Sequence, residues 1–438
     1  MKIFIETLGC EKNTADSESA AGILSRGGHE LVSAPEEADA VMVNTCGFIN
    51  DAKEESIDRI FDMVQRKKED ALLIVSGCLA QRYGEALFKE MPEVDIFLGV
   101  NDYPRLPEIL AKHQMGKREK YLSAYDKTYI ETGLRRRTGG QNYTASIKIA
   151  EGCDNVCSYC VIPAIRGPYR SRRREDIVAE AKQLAAEGCR ELIVIAQDTS
   201  AYGLDLYGRL CLPELLRDLC AVEEIRWIRL MYCYEDKITD DLISVMASQE
   251  KICHYIDIPI QHASDRVLSA MNRHSTRASV TDTVARLRKA MPDIHIRTTL
   301  IAGLPGETAE DFEILCDFVE QMRFERLGVF AYSREEGTPA AAMKGQVREQ
   351  TKQKRRETIM AMQCGISLEK NREMIGKTIE VLVEERDGEN SYIGRSRYDA
   401  PEIDNSVIFT ARRELQPGEF VNIRVTDAFD YDLAGELI

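Results

Sequence analysis

Residues 151–172 read EGCDNVCSYCVIPAIRGPYRSR, a cysteine-rich loop between a strand-like run and an amphipathic helical pattern. Cys153, Cys157 and Cys160 stand in the spacing C-x3-C-x2-C. Three thiolates can hold three irons of a cubane 4Fe–4S cluster and leave the fourth iron open to a substrate. The ring of Tyr159, next to the third cysteine, could cover a bound adenine. Zinc normally takes a fourth Cys or His close by, and the nearest histidine in sequence is His113. A zinc site or a set of structural thiols remains the alternative.

Composition bounds the class of protein. The chain has 438 residues, of which 44% are hydrophobic and 30% charged, as expected for a globular protein of two or three domains. Residues 71–80, the longest apolar run, are too few to span a membrane, and the N-terminal stretch is not a signal peptide. Thirteen cysteines then predict a reducing, cytoplasmic location. The net charge of −15 argues against a surface that binds nucleic acid throughout and suits a basic protein partner.

Residues 1–135 alternate between strand and helix patterns, which predicts an α/β domain with a parallel sheet. The predicted strands are Lys2–Leu8, Ala40–Asn44 and Leu72–Ser76, and the predicted helices are Asp16–Arg26, Asp51–Lys68 and Gln81–Glu90. Cys10, Cys46 and Cys78 each follow one of these strands, so we expect them at one edge of the sheet, where ligands collect. This placement predicts a second three-thiolate site. Three buried core thiols are the alternative.

Residues 140–370 contain six strand patterns with helices between most of them, which predicts a partial, open TIM-like (β/α)6 barrel. The predicted strands are Ala145–Ala150, Leu192–Ala196, Trp227–Met231, Tyr255–Ile260, Ile294–Ile301 and Leu327–Tyr332. The predicted helices are Arg174–Glu187, Pro213–Cys220, Asp240–Ser248, Thr276–Ala290, Ala309–Met322 and a long charged helix, Val347–Met374. The preceding connection, residues 121–141, carries the run Arg135-Arg136-Arg137 and is predicted to be a solvated linker.

Residues 371–438 change to a period of two, which predicts a small antiparallel β-barrel. Its predicted strands are Thr378–Glu384, Tyr392–Ser396, Val407–Ala411 and Phe420–Asp427. This segment has eight Lys and Arg residues against fifteen Asp and Glu residues, a net charge of −7. It lacks the basic surface that binds phosphate groups, so we do not expect it to contact nucleic acid. An acidic barrel suits a basic protein.

Together these features resemble the radical S-adenosylmethionine methylthiotransferases, which insert sulfur into a C–H bond and methylate it. The resemblance is strongest to members that modify a ribosomal protein. The matching segments span all three domains: TLGCEKN, VNTCGFI, KIAEGCDNVCSYCVIPAIRGPYRSR, AQDTSAYG, DIPIQHASDRVLSAMNR, RTTLIAGLPGET, FAYSREEGTPA and GRSRYDAPEID. Glu11 and Glu235 stand where members usually have proline, which concerns local loop shape and replaces no ligand.

The resemblance implies two 4Fe–4S clusters. One would use Cys153, Cys157 and Cys160 and bind S-adenosylmethionine, and an auxiliary one that presents sulfur would use Cys10, Cys46 and Cys78. The S-adenosylmethionine contacts would come from residues near strand ends: Tyr159, Gln197, Asp198, Gln261 and Gly303. Gln197 or Asp198 has an alternative role as a cap of the next element. His262, in the same region, has the alternative role of a partly buried histidine whose hydrogen bonds are satisfied within the protein. No catalytic residue is implied beyond the cluster ligands.

The implied reaction starts with cleavage of S-adenosylmethionine to a 5′-deoxyadenosyl radical that removes hydrogen from an aspartate β-carbon. Sulfur from the auxiliary cluster traps the carbon, and a second S-adenosylmethionine supplies the methyl group. The implied substrate is ribosomal protein number twelve of the small subunit, and an electron donor such as a flavodoxin-type protein is expected. The C-terminal barrel resembles a TRAM domain. The alternatives are a tRNA-adenosine methylthiotransferase and a non-catalytic iron–sulfur or zinc protein that binds RNA or ribosomes.

Overall fold

The computed structural model describes residues 1–114, 116–125, 135 and 141–438. Most of the predicted linker, including Arg136, Arg137 and the Gly139-Gly140 pair, lies outside these residues. Arg135 is described, and the prediction of a solvated position is wrong for it. Its side chain is only 6% exposed and donates to Glu18 at 2.6 Å and to Glu180 at 2.8 Å.

The first unit, residues 1–121, is a parallel sheet with helices on both faces. Its elements are β1 (Lys2–Thr7), α1 (Glu11–Arg26), β2 (Glu30–Leu31), β3 (Ala40–Thr45), α2 (Asn50–Arg66), β4 (Leu72–Gly77), α3 (Cys78–Glu90), β5 (Ile96–Leu98), α4 (Leu106–Lys112) and β6 (Glu119–Tyr121). The strand order is β2-β1-β3-β4-β5-β6. Strands β3 and β4 are buried along their whole length, as expected for central strands covered on both faces. Helices α1 and α4 cover one face, and α2 and α3 the other.

Two helices of this unit begin earlier than the sequence pattern predicts. Helix α1 begins at Glu11 instead of Asp16, because the Cys10 carbonyl accepts the backbone N–H groups of Asn13 and Thr14. Helix α3 begins at Cys78 instead of Gln81, directly after Gly77, whose φ of 93° turns the chain out of β4. Polar side chains fill the first turn of α1, so hydrophobic periodicity does not reveal it.

The central unit, residues 143–372, is an open parallel sheet of six strands in the order β14-β13-β12-β11-β10-β7. Its elements are β7 (Thr144–Lys148), β8 (Ala150–Glu151), α5 (Ile162–Arg166), β9 (Arg170–Ser171), α6 (Arg174–Ala186), β10 (Glu191–Ile195), α7 (Leu204–Tyr207), α8 (Leu212–Cys220), β11 (Trp227–Leu230), α9 (Asp240–Ser248), β12 (Ile252–Asp257), α10 (Asp265–Ala270), α11 (Arg277–Ala290), β13 (His295–Ala302), α12 (Ala309–Met322), β14 (Arg326–Ala331), α13 (Pro339–Ala342) and α14 (Glu349–Arg372). The prediction of a partial, open barrel agrees with this topology.

The predicted strand Ala145–Ala150 is divided in the structure. Strand β7 pairs with β10, whereas β8 turns away and pairs antiparallel with β9. The β8–β9 pair holds together the two ends of the cysteine loop, with Ala150 opposite Ser171 and Glu151 opposite Arg170. The loop is therefore closed at its base.

The C-terminal barrel, residues 374–438, has the closed order β15-β16-β17-β19-β18. Its strands are β15 (Thr378–Arg386), β16 (Ser391–Ser396), β17 (Val407–Thr410), β18 (Phe420–Ala428) and β19 (Leu433–Leu437). The predicted antiparallel pairing holds for every neighbouring pair except β17 and β19, which run parallel. Strand β19, which the sequence analysis did not identify, closes the barrel between β17 and β18.

Buried charges connect the barrel to the central unit. Glu191 at the start of β10 accepts from Arg229 at 3.0 Å and from Arg395 of the barrel at 2.5 Å, and all three side chains are at most 3% exposed. Arg326 donates to Asp399 at 2.9 Å in the same interface. In the part of the chain that the structure describes, no helix is both long and apolar enough to cross a membrane.

Candidate functional site

The first cysteine group consists of Cys10, Cys46 and Cys78. These residues follow β1, β3 and β4, which are adjacent in the sheet, so the topology brings them to one edge as predicted. Gly9, with a φ of 91°, lets the first loop approach the second: a methyl group on Gly9 would lie 2.8 Å from Cβ of Cys46. Because α1 and α3 begin at this edge, their N-termini favour negative charge beside Cys10 and Cys78.

Asn13 connects the three strand ends that carry this group. Its buried side chain donates to the Leu8 carbonyl at 2.8 Å and to the Thr45 carbonyl at 3.2 Å. The thiol of Cys78 lies 3.7 Å from Asn13 Oδ1. One amide therefore fixes the ends of β1 and β3 relative to the cysteine that follows β4.

The second cysteine group, Cys153, Cys157 and Cys160, lies in the loop between β8 and α5. Asn155 Nδ2 and the Ile162 N–H donate to the sulfurs of Cys153 and Cys160, each at 3.4 Å. The loop is anchored at Ser158, whose N–H donates to the Met271 carbonyl at 2.9 Å and whose hydroxyl donates to the Ala270 carbonyl at 2.8 Å. These contacts hold the loop against the end of α10.

The thiols of both groups are suited to a metal with positive charge. Burial raises the pKa of Cys46 and Cys153 to about 11 and that of Cys160 to about 12. Iron binds the thiolate, so a bound cluster would supply the charge that favours deprotonation. Among the described residues no three Cys, His, Asp or Glu side chains converge on a point that could hold a single metal ion. Cubane ligands bind separate irons and surround a volume, so this geometry does not conflict with a cluster.

Arg166 connects the helix that follows the second cysteine group to Cys78 of the first group. It ends α5, six residues after Cys160, and its Nη2 donates to the sulfur of Cys78 at 3.2 Å and to Asn13 Oδ1 at 2.8 Å. Its Nη1 donates to Asp16 of α1 at 2.6 Å. The side chain is 2% exposed. Sequence reasoning missed this residue because nothing in its local pattern separates it from an ordinary surface arginine.

The predicted S-adenosylmethionine contacts that follow β10 lie beside the second group. Gln197 Nε2 donates to Glu151 at 2.6 Å, and its buried Oε1 has no hydrogen-bond partner within the described residues. Asp198 accepts from Asn155 Nδ2 at 2.7 Å and from the Ala201 N–H at 3.1 Å. The alternative role of a cap is therefore what the structure shows for Asp198.

The other predicted contacts are Tyr159, which lies in the cysteine loop itself, and Gln261 and Gly303, which follow β12 and β13. Tyr159 packs in one apolar cluster with Leu304, next to Gly303. Gly303 has a φ of 84°, and Gln261 has the unusual positive φ of 70°. His262 is fully buried: its Nδ1 accepts the Ser264 N–H at 2.9 Å, and its Nε2 lies 3.6 Å from Glu307. His262 is thus satisfied at Nδ1 only, because its buried Nε2 has no hydrogen-bond partner among the described residues.

Two polar residues absent from the sequence predictions also face the second group. The hydroxyl of Tyr234 lies 3.5 Å from the sulfur of Cys157, and the guanidinium of Arg273 lies 4.2 Å from the Tyr234 ring centroid. Arg273 is 7% exposed, and its Nε and Nη1 have no hydrogen-bond partner among the residues that the structure describes. Such unpaired buried donors fit an anionic or polar ligand beside the cysteines. The surroundings therefore fit a cluster with a bound cofactor.

The two glutamates at usual proline positions have separate settings. Glu235 is buried and accepts from the hydroxyls of Ser275 at 2.6 Å and Ser279 at 3.2 Å, so it fastens the loop after β11. Glu11 begins α1, and burial raises its pKa. Neither side chain takes the place of a cysteine.

The chain matches three known families along its length: Uncharacterized protein family UPF0004 over residues 2–99, the Radical SAM superfamily over residues 147–319, and the TRAM domain over residues 375–438. It is 50% identical over 439 aligned residues to the ribosomal protein uS12 methylthiotransferase RimO of Lachnoclostridium phytofermentans, covering 99% of each chain. The chain belongs to the RimO family of methylthiotransferases. The RimO proteins of Clostridioides difficile, at 47% identity, and Geobacter sulfurreducens, at 48%, align with 100% of this chain and with 99% and 98% of their own lengths.

Membership of the RimO family makes the chain a radical S-adenosylmethionine methylthiotransferase, which uses a 4Fe–4S cluster and S-adenosylmethionine. Solved structures support the fold. The methyltransferase TsrM from Kitasatospora setae, with cobalamin and a 4Fe–4S cluster, aligns with a TM-score of 0.55 and 15% identity over 77% of this chain and 73% of its own. The cobalamin-dependent enzyme OxsB aligns with a TM-score of 0.51 and 11% identity over 83% of this chain and 56% of its own.

Proposed function

We propose that this enzyme adds a methylthio group to the β-carbon of an aspartate in ribosomal protein uS12. The proposal rests on relatives that match over almost their full length and are ribosomal protein uS12 methylthiotransferases, which favours this substrate over a tRNA adenosine. We also propose domain bounds of 1–135, 140–370 and 371–438, which are compatible with the three sheets and the matched families.

We further propose two 4Fe–4S clusters, one held by Cys153, Cys157 and Cys160 and an auxiliary one held by Cys10, Cys46 and Cys78. The observation that carries this proposal is the contact of Arg166 with Cys78. Arg166 ends α5, the helix that directly follows the second group, and its guanidinium lies 3.2 Å from the sulfur of Cys78 in the first group. Sulfur insertion needs the radical source and the sulfur source near the same carbon, and this contact supports that closeness.

When bound, the clusters and S-adenosylmethionine supply the radical chemistry and the sulfur. The protein residues bind and orient. Arg273 has free, buried donors that suit the carboxylate of S-adenosylmethionine, and the Tyr159 ring suits its adenine. Gln197 has a free Oε1 that can accept a hydrogen bond from the cofactor, whereas Asp198 orients the loop through Asn155. We also propose that the backbone at Gln261 and Gly303 lines the site that S-adenosylmethionine would occupy.

The partners we propose follow from charge and compartment. Residues 371–438 carry a net charge of −7, and the barrel uses both basic and acidic residues, such as Arg395 and Asp399, in contacts with the central unit, so its remaining surface stays acidic. Such a surface would dock a basic ribosomal protein, free or within the ribosome, and not RNA. A one-electron donor such as a flavodoxin-type protein is required. The thirteen free thiols fit a reducing cytoplasm.

The test uses anaerobically reconstituted full-length protein with dithionite, S-adenosylmethionine and a uS12 peptide that carries the target aspartate. We expect about eight irons per chain, 5′-deoxyadenosine, and a peptide mass increase equal to replacement of H by SCH3 on that aspartate. A matched peptide with alanine at the target position is the control and should stay unmodified.

Two outcomes would contradict the proposal at different levels. Deoxyadenosine with an unmodified peptide and a methylthiolated tRNA would replace the substrate. About four irons per chain, with activity intact, would contradict the second cluster.

A further inference from the structure

One buried cation stands between the two cysteine groups without a charged partner. Lys12 follows Cys10 by two residues and is 9% exposed. Its Nζ lies 3.0 Å from the centroid of the Tyr232 ring, and within the described residues it forms no ion pair and no hydrogen bond. Lys352, the other buried lysine among the described residues, pairs with Glu349 at 3.0 Å, and the partly buried Lys148 pairs with Asp16 at 2.5 Å.

Among the described residues, neither of the two carboxylates that influence Lys12, those of Glu11 and Asp257, forms an ion pair with it. Asp257 accepts from Arg297 at 3.1 Å through one oxygen and from the Tyr232 N–H at 3.0 Å through the other. Glu11 has a hydrogen bond with Ser146, its buried Oε2 has no hydrogen-bond partner among the described residues, and burial raises its pKa, which weakens it as an anionic partner for Lys12. An ammonium has three donors, and the ring of Tyr232 takes up one direction. The remaining donors need an acceptor, because an unpaired buried charge is unfavourable.

The position of Lys12 points to what that acceptor is. Its ring partner, Tyr232, has the strained φ of 59° and precedes Tyr234, whose hydroxyl lies 3.5 Å from the sulfur of Cys157. The Lys12–Tyr232 pair thus spans from the Cys10 loop to the strand end that faces the second group. In the proposed reaction, the substrate carbon loses hydrogen at the site of the second cysteine group and receives sulfur from the site of the first. That carbon therefore has to lie between the two groups, in the region of Lys12 and Tyr232.

We propose that Lys12, held over Tyr232, binds the side-chain carboxylate of the target aspartate and makes the enzyme selective for aspartate over asparagine. This inference rests on the function proposed above. The carboxylate is bonded to the β-carbon, so anchoring it places the reacting carbon within one bond of a fixed point. Lys12 is in this role a binding and positioning residue that takes no part in electron or hydrogen transfer.

The test measures binding to the cluster-loaded, full-length protein under anaerobic conditions by fluorescence anisotropy. The probes are two labelled uS12 peptides that differ only in Asp or Asn at the target position. Wild-type protein should bind the Asp peptide more tightly. Lys12→Met should weaken binding of the Asp peptide about thirtyfold and bring the Asp/Asn affinity ratio close to one, since a buried charge pair is lost. Lys12→Arg should retain part of the preference.

Lys53→Met is the matched control. Lys53 also lies at the boundary of the first and central units, where it pairs with Glu335 at 3.0 Å, but it is remote from the Cys10 loop in sequence. It should leave the Asp/Asn affinity ratio unchanged. Iron content is measured for every variant, so loss of a cluster is separated from loss of recognition.

Two results would overturn the assignment. Equal affinity of the wild-type protein for both peptides does so without any variant, and so does an unchanged Asp/Asn ratio in an iron-replete Lys12→Met protein. If wild-type protein methylthiolates the peptide in either case, the proposed function stands and only the role of Lys12 fails. If wild-type protein cleaves S-adenosylmethionine but neither binds nor modifies the peptide, both fail.

Discussion

The first cysteine group is assembled by the topology of a whole sheet, whereas the second lies in a single loop. Cys10, Cys46 and Cys78 come together only because β1, β3 and β4 are neighbours. Cys153, Cys157 and Cys160 are close in sequence, and the β8–β9 pair closes their loop at its base. The two sites therefore depend on different parts of the fold, although Arg166 connects them. Substitutions can separate their roles.

Removing the second group should have the largest effect. Cys157→Ala should lower iron from about eight to about four atoms per chain and abolish both deoxyadenosine formation and peptide modification. Iron analysis and chromatography of the products measure this. Cys220→Ala is the control, because Cys220 packs half-buried against the central core away from both groups, and it should keep all three properties.

Removing the first group should divide the reaction. Cys46→Ala should also lower iron to about four atoms per chain but leave deoxyadenosine formation in place, while methylthio transfer to the peptide is lost. The reason is that the loop of the second group is closed by the β8–β9 pair and not by the sheet of the first unit, where Cys46 lies. Loss of deoxyadenosine in an iron-replete second site would show that the two groups cannot act apart.

Removing the connection should cost stability. Arg166→Met removes the guanidinium from Asp16 and Cys78, and because Asp16 keeps Lys148 at 2.5 Å we expect about 2 kcal/mol lower stability of the interface between the first and central units. Thermal unfolding of the apoprotein measures this. Arg173→Met is the control: its side chain is 70% exposed and pairs with Asp176 at the surface, so its loss should leave the unfolding temperature unchanged.

The buried charge cluster between the central unit and the barrel should respond only to acid. Arg395 and Arg229 lower the pKa of buried Glu191 from 4.5 to about 2. A carboxyl whose pKa is depressed on folding stabilises the fold above its unfolded pKa and loses that contribution as pH falls through the folded pKa. Stability should therefore decrease by about 3 kcal/mol between pH 4.5 and 2.

Glu191→Gln is the check on this last expectation. It should flatten the acid limb of the stability curve without changing iron content at neutral pH. An unchanged acid limb would show that other carboxylates control the transition.

The sequence predicted the parts of the fold that periodicity and spacing encode. The central parallel strands, the open barrel and the placement of Cys10, Cys46 and Cys78 at one sheet edge were predicted, because apolar runs and strand ends are local signals. That the six cysteines hold clusters remains a prediction. Strand β19 and the parallel pairing of β17 with β19 could not be predicted, since a short strand at the end of the chain finds its partner only when the barrel closes.

The polar residues of the candidate site show the same limit. Gln197, Gln261 and Gly303 were predicted from their places after strands, and their contacts as cofactor ligands remain predictions. Lys12, Arg166 and Arg273 were missed, because long charged side chains in a sequence look like surface residues. Only tertiary packing shows that all three are buried, and no sequence period reports this.

The barrel residues that pair with the central unit determine whether the C-terminal barrel can be exchanged between relatives. Arg395 and Asp399 enter the central unit to pair with Glu191 and Arg326, so each is required by a partner outside its own domain. A chimera that received a similar barrel without these two residues would leave buried Arg326 without its carboxylate partner and Glu191 with Arg229 but without Arg395. The unit that can be exchanged between relatives is therefore the barrel together with Glu191 and Arg326, the charged residues that begin β10 and β14. Recombination at residue 374 alone would separate the barrel from these two partners.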